Sequence, residues 1–231
     1  MIDLKGYKGF GIHETMSSES LKLISYCLKN NIKYNIFKRH ERCSEDLVPS
    51  GSVEWCTKAL GKEVVPDYFP DFMKDHIHRK VWKSDKWILG EKLFVKPANR
   101  HKRFTGFITT GTYSKKKRPP LIYSEIVYFI NEWRYYITDG KVIAREWYWG
   151  EDENAPKFDL YISGIKVPKN WSGTLDMGLL RRSHLKDINQ WGDFALIEAH
   201  PPFACGWYGK DIEPYLQWLI DGWCYMKEKR K

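Results

Sequence analysis

Apolar residues recur at a spacing near 3.6 across residues 17–30 (SSESLKLISYCLKN), where Leu21, Ile24 and Leu28 share one helical face. Ser17 or Ser18 is placed to cap the first turn, and Asn30-Asn31 closes the segment. The period changes to two over residues 32–37, which predicts a strand with Ile32, Tyr34 and Ile36 on one side. A helix running into a strand is the unit of α/β domains. Residues 51–60 (GSVEWCTKAL) predict a second helix, entered through Pro49 and Gly51. Pro66, Pro70 and the aromatics between them read as an irregular bridge, and the texture changes near residue 78.

Beyond that point β patterning dominates. Residues 87–95, broken by a turn at Gly90-Glu91, read as a strand paired with 103–110. Residues 121–130 and 132–138 are rich in β-branched and aromatic side chains. Asp139-Gly140 is a strong two-residue hairpin signal, and 141–149 is its returning strand. Two further strands are expected at 173–180 and 194–198. A closing helix is expected at 212–227, with Tyr215, Leu216, Leu219, Ile220 and Trp223 on one face. The order is α/β first and then a β-rich α+β body. A boundary near 78 separates them, with a smaller lobe over 79–122 and a larger one over 123–231.

The net charge is +9, and it is unevenly placed. Residues 79–118 hold 13 Lys/Arg against Asp85 and Glu91, about +11, so the remainder is close to −2. A local cationic stretch points to phosphate-bearing partners. Five cysteines (Cys27, Cys43, Cys56, Cys205 and Cys224) form no C-x-x-C pair, which excludes zinc-finger and thioredoxin readings and fits free thiols in a reducing compartment. The start lacks a secretory pattern and no apolar run spans a membrane, so the expected compartment is the cytoplasm and no membrane partner is expected. His13, His40, His76, His78, His101 and His184 show no metal-ligand spacing.

Lys96 ends the apolar run Phe94-Val95, which packs its stem and aims its ammonium; a snorkelling lysine is the plain alternative. Lys102, Thr105 and Gly106 follow in a form suited to a turn near phosphate oxygens. Glu132 and Arg134, two apart on a strand, point to one side. Asp176 and Glu198 each interrupt an apolar strand. A carboxylate there needs a cation, either a hard divalent metal shared with phosphate or an Arg or Lys.

Taken in order, several segments resemble the ATP-grasp superfamily, and within it the phage-enriched clade named for one arginine and two lysines. They are Phe94-Val95-Lys96-Pro97, residues 102–106, Ser124-Glu125-Ile126-Val127, Glu132-Trp133-Arg134, Asp176-Met177-Gly178, Glu198-Ala199-His200 and residues 206–209, with residues 49–54 and 66–70 upstream. The resemblance implies an ATP-grasp fold, two α+β lobes that clamp ATP, preceded by a small α/β N-terminal domain over residues 1–78. It implies that Lys96 and Lys102 touch the ATP phosphates and that Glu125, Ile126 and Val127 form the hinge that reads adenine. Glu132 would meet the ribose, and Arg134 the γ-phosphate or an acyl phosphate. Asp176 and Glu198 fall at metal-ligand positions for Mg²⁺, with Mn²⁺ as the alternative. His200 stands where the family has Asn, so it ligates, acts as a base, or has left the metal shell.

The implied activity is an ATP-dependent carboxylate–amine ligase that forms an amide through an acyl phosphate, with amino acids or a peptide or protein end as substrates. Lys102 and Arg134 would act on the reacting groups. Residues 115–118 or 150–157 would supply a loop that closes over the nucleotide. A phage gene would place the product in the host cytoplasm. Two rivals stand beside this reading. The basic 79–118 segment and the aromatics also suit a nucleic-acid binder. His200 also suits an inactive ATP-grasp-like scaffold.

Overall fold

The structure is a computed structural model; it describes residues 2–15, 17–109, 118–150, 160, 163–181 and 193–228. The lysines at 115–117, the polar segment 151–157 and His184 lie outside the described residues. No helix among the described residues is long and apolar enough to cross a membrane.

The chain opens with a parallel three-stranded sheet in the order β2-β1-β3, made of β1 (Gly9–His13), β2 (Lys33–Phe37) and β3 (Leu47–Ser50). Parallel neighbours need a crossover, which α1 (Ser18–Lys29) supplies between β1 and β2. Ser17 caps α1 by accepting from the Ser20 amide. After β3 the chain turns into α2 (Val53–Leu60), capped by Ser52 and stopped by Gly61 in the left-handed region. β1 escapes the sequence pattern because every residue in it is buried, so it shows no alternation. Gly9 is required there, since a Cβ would lie 1.8 Å from the Lys33 carbonyl oxygen. The stripe expected on α1 is corrected. Leu21 and Leu28 are exposed, and the buried face is Ser20, Leu23 and Cys27. On β2, Ile36 is exposed and Phe37 turns inward instead.

The next unit is an antiparallel sheet in the order β4-β7-β5-β6, built from β4 (Val81–Ser84), β5 (Phe94–Pro97), β6 (Phe107–Ile108) and β7 (Leu121–Ser124). β4 is not legible in the sequence. The strands expected over 87–95 and 103–110 shrink to β5 and β6. Residues 86–88 are held by a side chain rather than a ladder: the Ile88 amide donates to the Tyr123 hydroxyl, and that hydroxyl donates to the Lys86 carbonyl. The expected strand 121–130 splits because residues 125–128 leave one sheet for the other.

The largest sheet has the order β11-β10-β8-β9, antiparallel throughout: β8 (Phe129–Thr138), β9 (Lys141–Gly150), β10 (Gly173–Leu180) and β11 (Phe194–His200). Asp139 and Gly140 both take positive φ, 47° and 71°, as a tight hairpin between twisted strands requires. On one face Trp133, Tyr135 and Ile137 of β8 and Leu175, Met177 and Leu179 of β10 form a core. Side-chain alternation therefore turns Glu132, Arg134 and Asp176 to the other face.

α3 (Glu213–Glu228) packs between this sheet and the N-terminal sheet, which explains why it is buried on more sides than one stripe allows. Its Trp218, Leu219 and Trp223 join Phe10, Ile12 and Leu23 in a single core with Tyr136 of β8. Trp218 is fully buried, stands edge-on to Tyr136 and donates its Nε1–H to the Gly173 carbonyl at 3.2 Å. Trp218→Ala is expected to cost about 3–5 kcal/mol, read as a lower urea midpoint with the slope unchanged.

Candidate functional site

Strand register assembles the site. Asp176 on β10 is paired with Arg134 on β8 and with Glu198 on β11, so three charged residues stand abreast across three adjacent strands. Thr174 pairs with His200, which brings that ring to the same face. Arg134 grips Asp176 in a fork, Nε to Oδ1 and Nη2 to Oδ2, both at 2.7 Å. His200 Nε2 lies 3.3 Å from Glu198 Oε1 and 3.5 Å from Asp176 Oδ2. From the facing lobe, Lys96 on β5 donates to Glu198 Oε2. Gly106 is placed where a Cβ would press on the Phe94 ring and the Lys96 stem, so glycine there leaves room for both.

The irregular bridge supplies the floor of this cleft. The Tyr68 ring lies 4.8 Å from Lys96 Nζ and packs edge-on to His200. Arg79, which no sequence signal singles out, ties the two lobes. It donates to the Leu196 and Ile197 carbonyls at 2.6 and 2.8 Å and to the Ser124 hydroxyl at 3.0 Å, between the rings of Phe69 and Phe129. Its partners lie up to 118 residues away, so no local pattern could mark it. Tyr148 and Tyr208 also escape the sequence pattern. They stack at 4.8 Å with Arg134 against both rings, and the Tyr148 hydroxyl donates to Glu132 Oε2 at 2.5 Å.

The segment joining the lobes runs along a cavity. Glu125, Ile126 and Val127 line it with Phe94, Lys96 and Glu198. The Glu125 carboxylate accepts from the Lys80 amide at 2.8 Å, which pins the crossing. Lys102 stands apart from the carboxylates. Its backbone is left-handed and its Nζ lies 3.4 Å from the Ala204 carbonyl oxygen.

Burial opposes every charge here; it prevails at Lys96, His101, His200 and Glu132, and the partner prevails at Asp176. Burial alone would raise the Asp176 carboxyl, but Arg134 beside it holds it well below the usual range. Burial lowers the Lys96 ammonium to about 7, helped by Lys102, Arg79 and Arg134. Burial also lowers His200, and it lowers His101, which abuts His200, to about 2. Glu132 is raised, by burial first and by the nearby Asp176 charge.

Asp176, Glu198 and His200 each offer a donor atom within 4.8 Å of the others, a set that fits one divalent cation. Two oxygens and a nitrogen suit Mn²⁺ better than Mg²⁺. Such a cation has to compete with Arg134 and Lys96 for the carboxylates.

An antiparallel lobe closing over a larger antiparallel sheet, with a lysine and a carboxylate row meeting across the cleft, is the ATP-grasp architecture, an ATP-binding fold. Residues 76–218 match family 2 of the ATP-grasp domains in the clade named for one arginine and two lysines, and the chain belongs to that family. No curated protein gives a significant match. Among solved structures, similar chains include the D-alanine–D-alanine ligase from Bacillus anthracis complexed with ATP (13% identity, TM-score 0.48, 97% of this chain and 99% of that one). They also include the ATP-grasp ligase PsnB complexed with a minimal precursor (9% identity, TM-score 0.49, 95% and 99%) and a RimK domain protein from Sphaerobacter thermophilus DSM 20745 (9% identity, TM-score 0.47, 96% and 98%).

Asp176→Asn leaves Arg134 buried without its counter-charge and is expected to cost about 3–5 kcal/mol at neutral pH. Because the folded-state carboxyl is depressed, its contribution is complete above the ordinary value of 3.8 and is lost as pH falls through the lower folded value. Urea melts should show a constant gap between wild type and variant from about pH 7 to 5, shrinking only in stronger acid.

Proposed function

We propose that the protein is an ADP-forming carboxylate–amine ligase of ATP-grasp type that acts through an acyl phosphate. One observation carries this reading: Lys96–Glu198 and Arg134–Asp176 lie side by side in one cleft, next to a cavity bordered by the lobe crossing. Paired cations and acids in that arrangement match what phosphoryl transfer needs, which is positioning and charge neutralisation rather than a covalent nucleophile on the protein. The domain division into 1–78, 79–122 and 123–231 belongs to the same proposal.

In this reading Ile126 and Val127 present backbone groups to adenine, with Glu125 fixing the crossing, and Glu132 meets the ribose. Lys96 and Lys102 hold the phosphates. Arg134, released from Asp176, orients the acceptor carboxylate and then the acyl phosphate with its planar fork. Attack of the carboxylate oxygen on the γ-phosphorus breaks the bond to the β-phosphate oxygen and releases ADP. The amine nitrogen then attacks the acyl carbon, phosphate leaves, and the amine proton passes to solvent. Asp176, Glu198 and His200 would hold a divalent metal, which supplies charge neutralisation along the phosphates when bound.

The test is ADP release on mixing the protein with ATP, Mn²⁺ or Mg²⁺, and pools of amino acids and small carboxylic acids. ADP formation that depends on both an acid and an amine is expected; ADP-free mixtures despite nucleotide binding would put the inactive scaffold ahead. Lys96→Ala should weaken a non-hydrolysable ATP analogue about 100-fold or more by calorimetry, and wild-type affinity in that variant discards the assignment. His200→Asn should raise Mg²⁺-supported activity relative to Mn²⁺-supported activity, since an amide oxygen replaces an imidazole nitrogen.

A further inference from the structure

The row of charged residues across the large sheet has a fourth member. Glu146 on β9 is the register partner of Arg134 on β8, so the order across β9, β8, β10 and β11 is Glu146, Arg134, Asp176, Glu198. Partners in an antiparallel pair share a face, with Cβ atoms about 5 Å apart. Glu146 therefore stands on the cleft side of the sheet, next to Arg134 and on the flank away from Glu198 and Lys96. The loop over residues 206–209 covers this end of the row. Gly206 gives its carbonyl to the Tyr136 hydroxyl and to Arg134 Nη1. A Cβ on Gly209 would come within 2.9 Å of Glu146 Oε1, so the loop runs directly against the carboxylate.

Glu146 differs from the other acids on this face. Asp176 is gripped by Arg134, Glu198 takes Lys96, and Glu132 takes the Tyr148 hydroxyl. Glu146 has no hydrogen bond or ion pair among the described residues. It is half-buried, yet its carboxylate oxygens keep accessible surface. A half-buried carboxylate without a cation is unfavourable, and the guanidinium beside it is already committed to Asp176. Tyr148 and Tyr208 frame the same end of the row, both against Arg134. Tyr208 is 44% exposed, so the ring pair opens to solvent. Aromatic faces beside an unpaired carboxylate favour a cation.

We infer that Glu146 is a catalytic residue that receives the ammonium group of the amine substrate and takes its proton. The inference rests on the ligase reading. There Arg134 holds the acyl phosphate, while Lys96, Glu198 and the nucleotide lie on its β10–β11 flank. The amine has to arrive from the β9 flank, where Glu146 is the acid of the row. One ammonium proton passes to the Glu146 carboxylate. The freed lone pair on nitrogen forms the C–N bond, the C–O bond to phosphate breaks with its electron pair, and a second proton leaves on the phosphate. Glu146 then gives its proton to solvent. The substrate class is an aliphatic primary amine that arrives protonated at neutral pH.

The binding probe is n-butylammonium, titrated by ¹⁵N–¹H correlation spectra. Shifts at Glu146, Tyr148, Tyr208 and Gly209 are expected in the wild type and are expected to vanish in Glu146→Gln. The kinetic probe is hydroxylamine, which is largely uncharged at neutral pH and traps an acyl phosphate without a base. Glu146→Gln should lower ADP release with an amine that supports turnover by about 100-fold. The loss with hydroxylamine should be smaller by about tenfold or more, and Glu146→Asp should recover part of the amine rate. Equal losses with both nucleophiles, a wild-type amine rate in Glu146→Gln, or no butylammonium shifts in the wild type overturns the assignment. Butylammonium shifts that depend on Glu146 in a protein that releases no ADP uphold the ammonium site and remove the ligase reading, and the proton transfer with it.

Discussion

Charge balance inside a buried cleft is the constraint on which the site depends. Taking a guanidinium and a carboxylate out of water is costly, and removal of either partner alone is worse than removal of both. Arg134 and Asp176 meet this by a two-bond fork, and Lys96 and Glu198 by direct contact across the lobes. In the proposed function the same four charges would exchange partners, the acids going to a metal and the cations to the phosphates. His200, between the two acids, adds a nitrogen where two oxygens already converge.

The alternation over β8 is readable in the sequence. Glu132 and Arg134 are expected on one side, and the apolar residues Trp133, Tyr135 and Ile137 do pack on the other. The pairing of Arg134 with Asp176, 42 residues apart, is not readable, because register between distant strands leaves no local trace. β1 and β3 escape for a different reason, since fully buried strands have no polar beat. The α1 stripe is misplaced because the buried face consists of Ser20, Leu23 and Cys27, two of them small residues that a hydrophobic pattern does not mark, while Leu21 and Leu28 face outward. His101 carries no spacing signal at all, and its position depends on a left-handed turn at the next residue.

Arg79 and the Phe69 and Tyr68 rings show how an irregular stretch can be the most connected part of a site. Arg79 reaches carbonyls of β11 and a hydroxyl of β7, so a single side chain touches both lobes. Tyr68 carries the Lys96 ammonium over its face and accepts the Ala199 amide at its carbonyl. The cleft is thereby lined at its base by aromatic faces that favour cations.

α3 has a consequence for how the protein is made. The parallel sheet at the beginning of the chain completes its apolar interior only with Trp218, Leu219 and Trp223 from the last helix. Until α3 has been made, that sheet has only the cover that α1 and α2 give it, and the rest of its apolar face meets water. Its packing cannot finish ahead of the β-rich body, and the incomplete core is a surface that chaperones can hold.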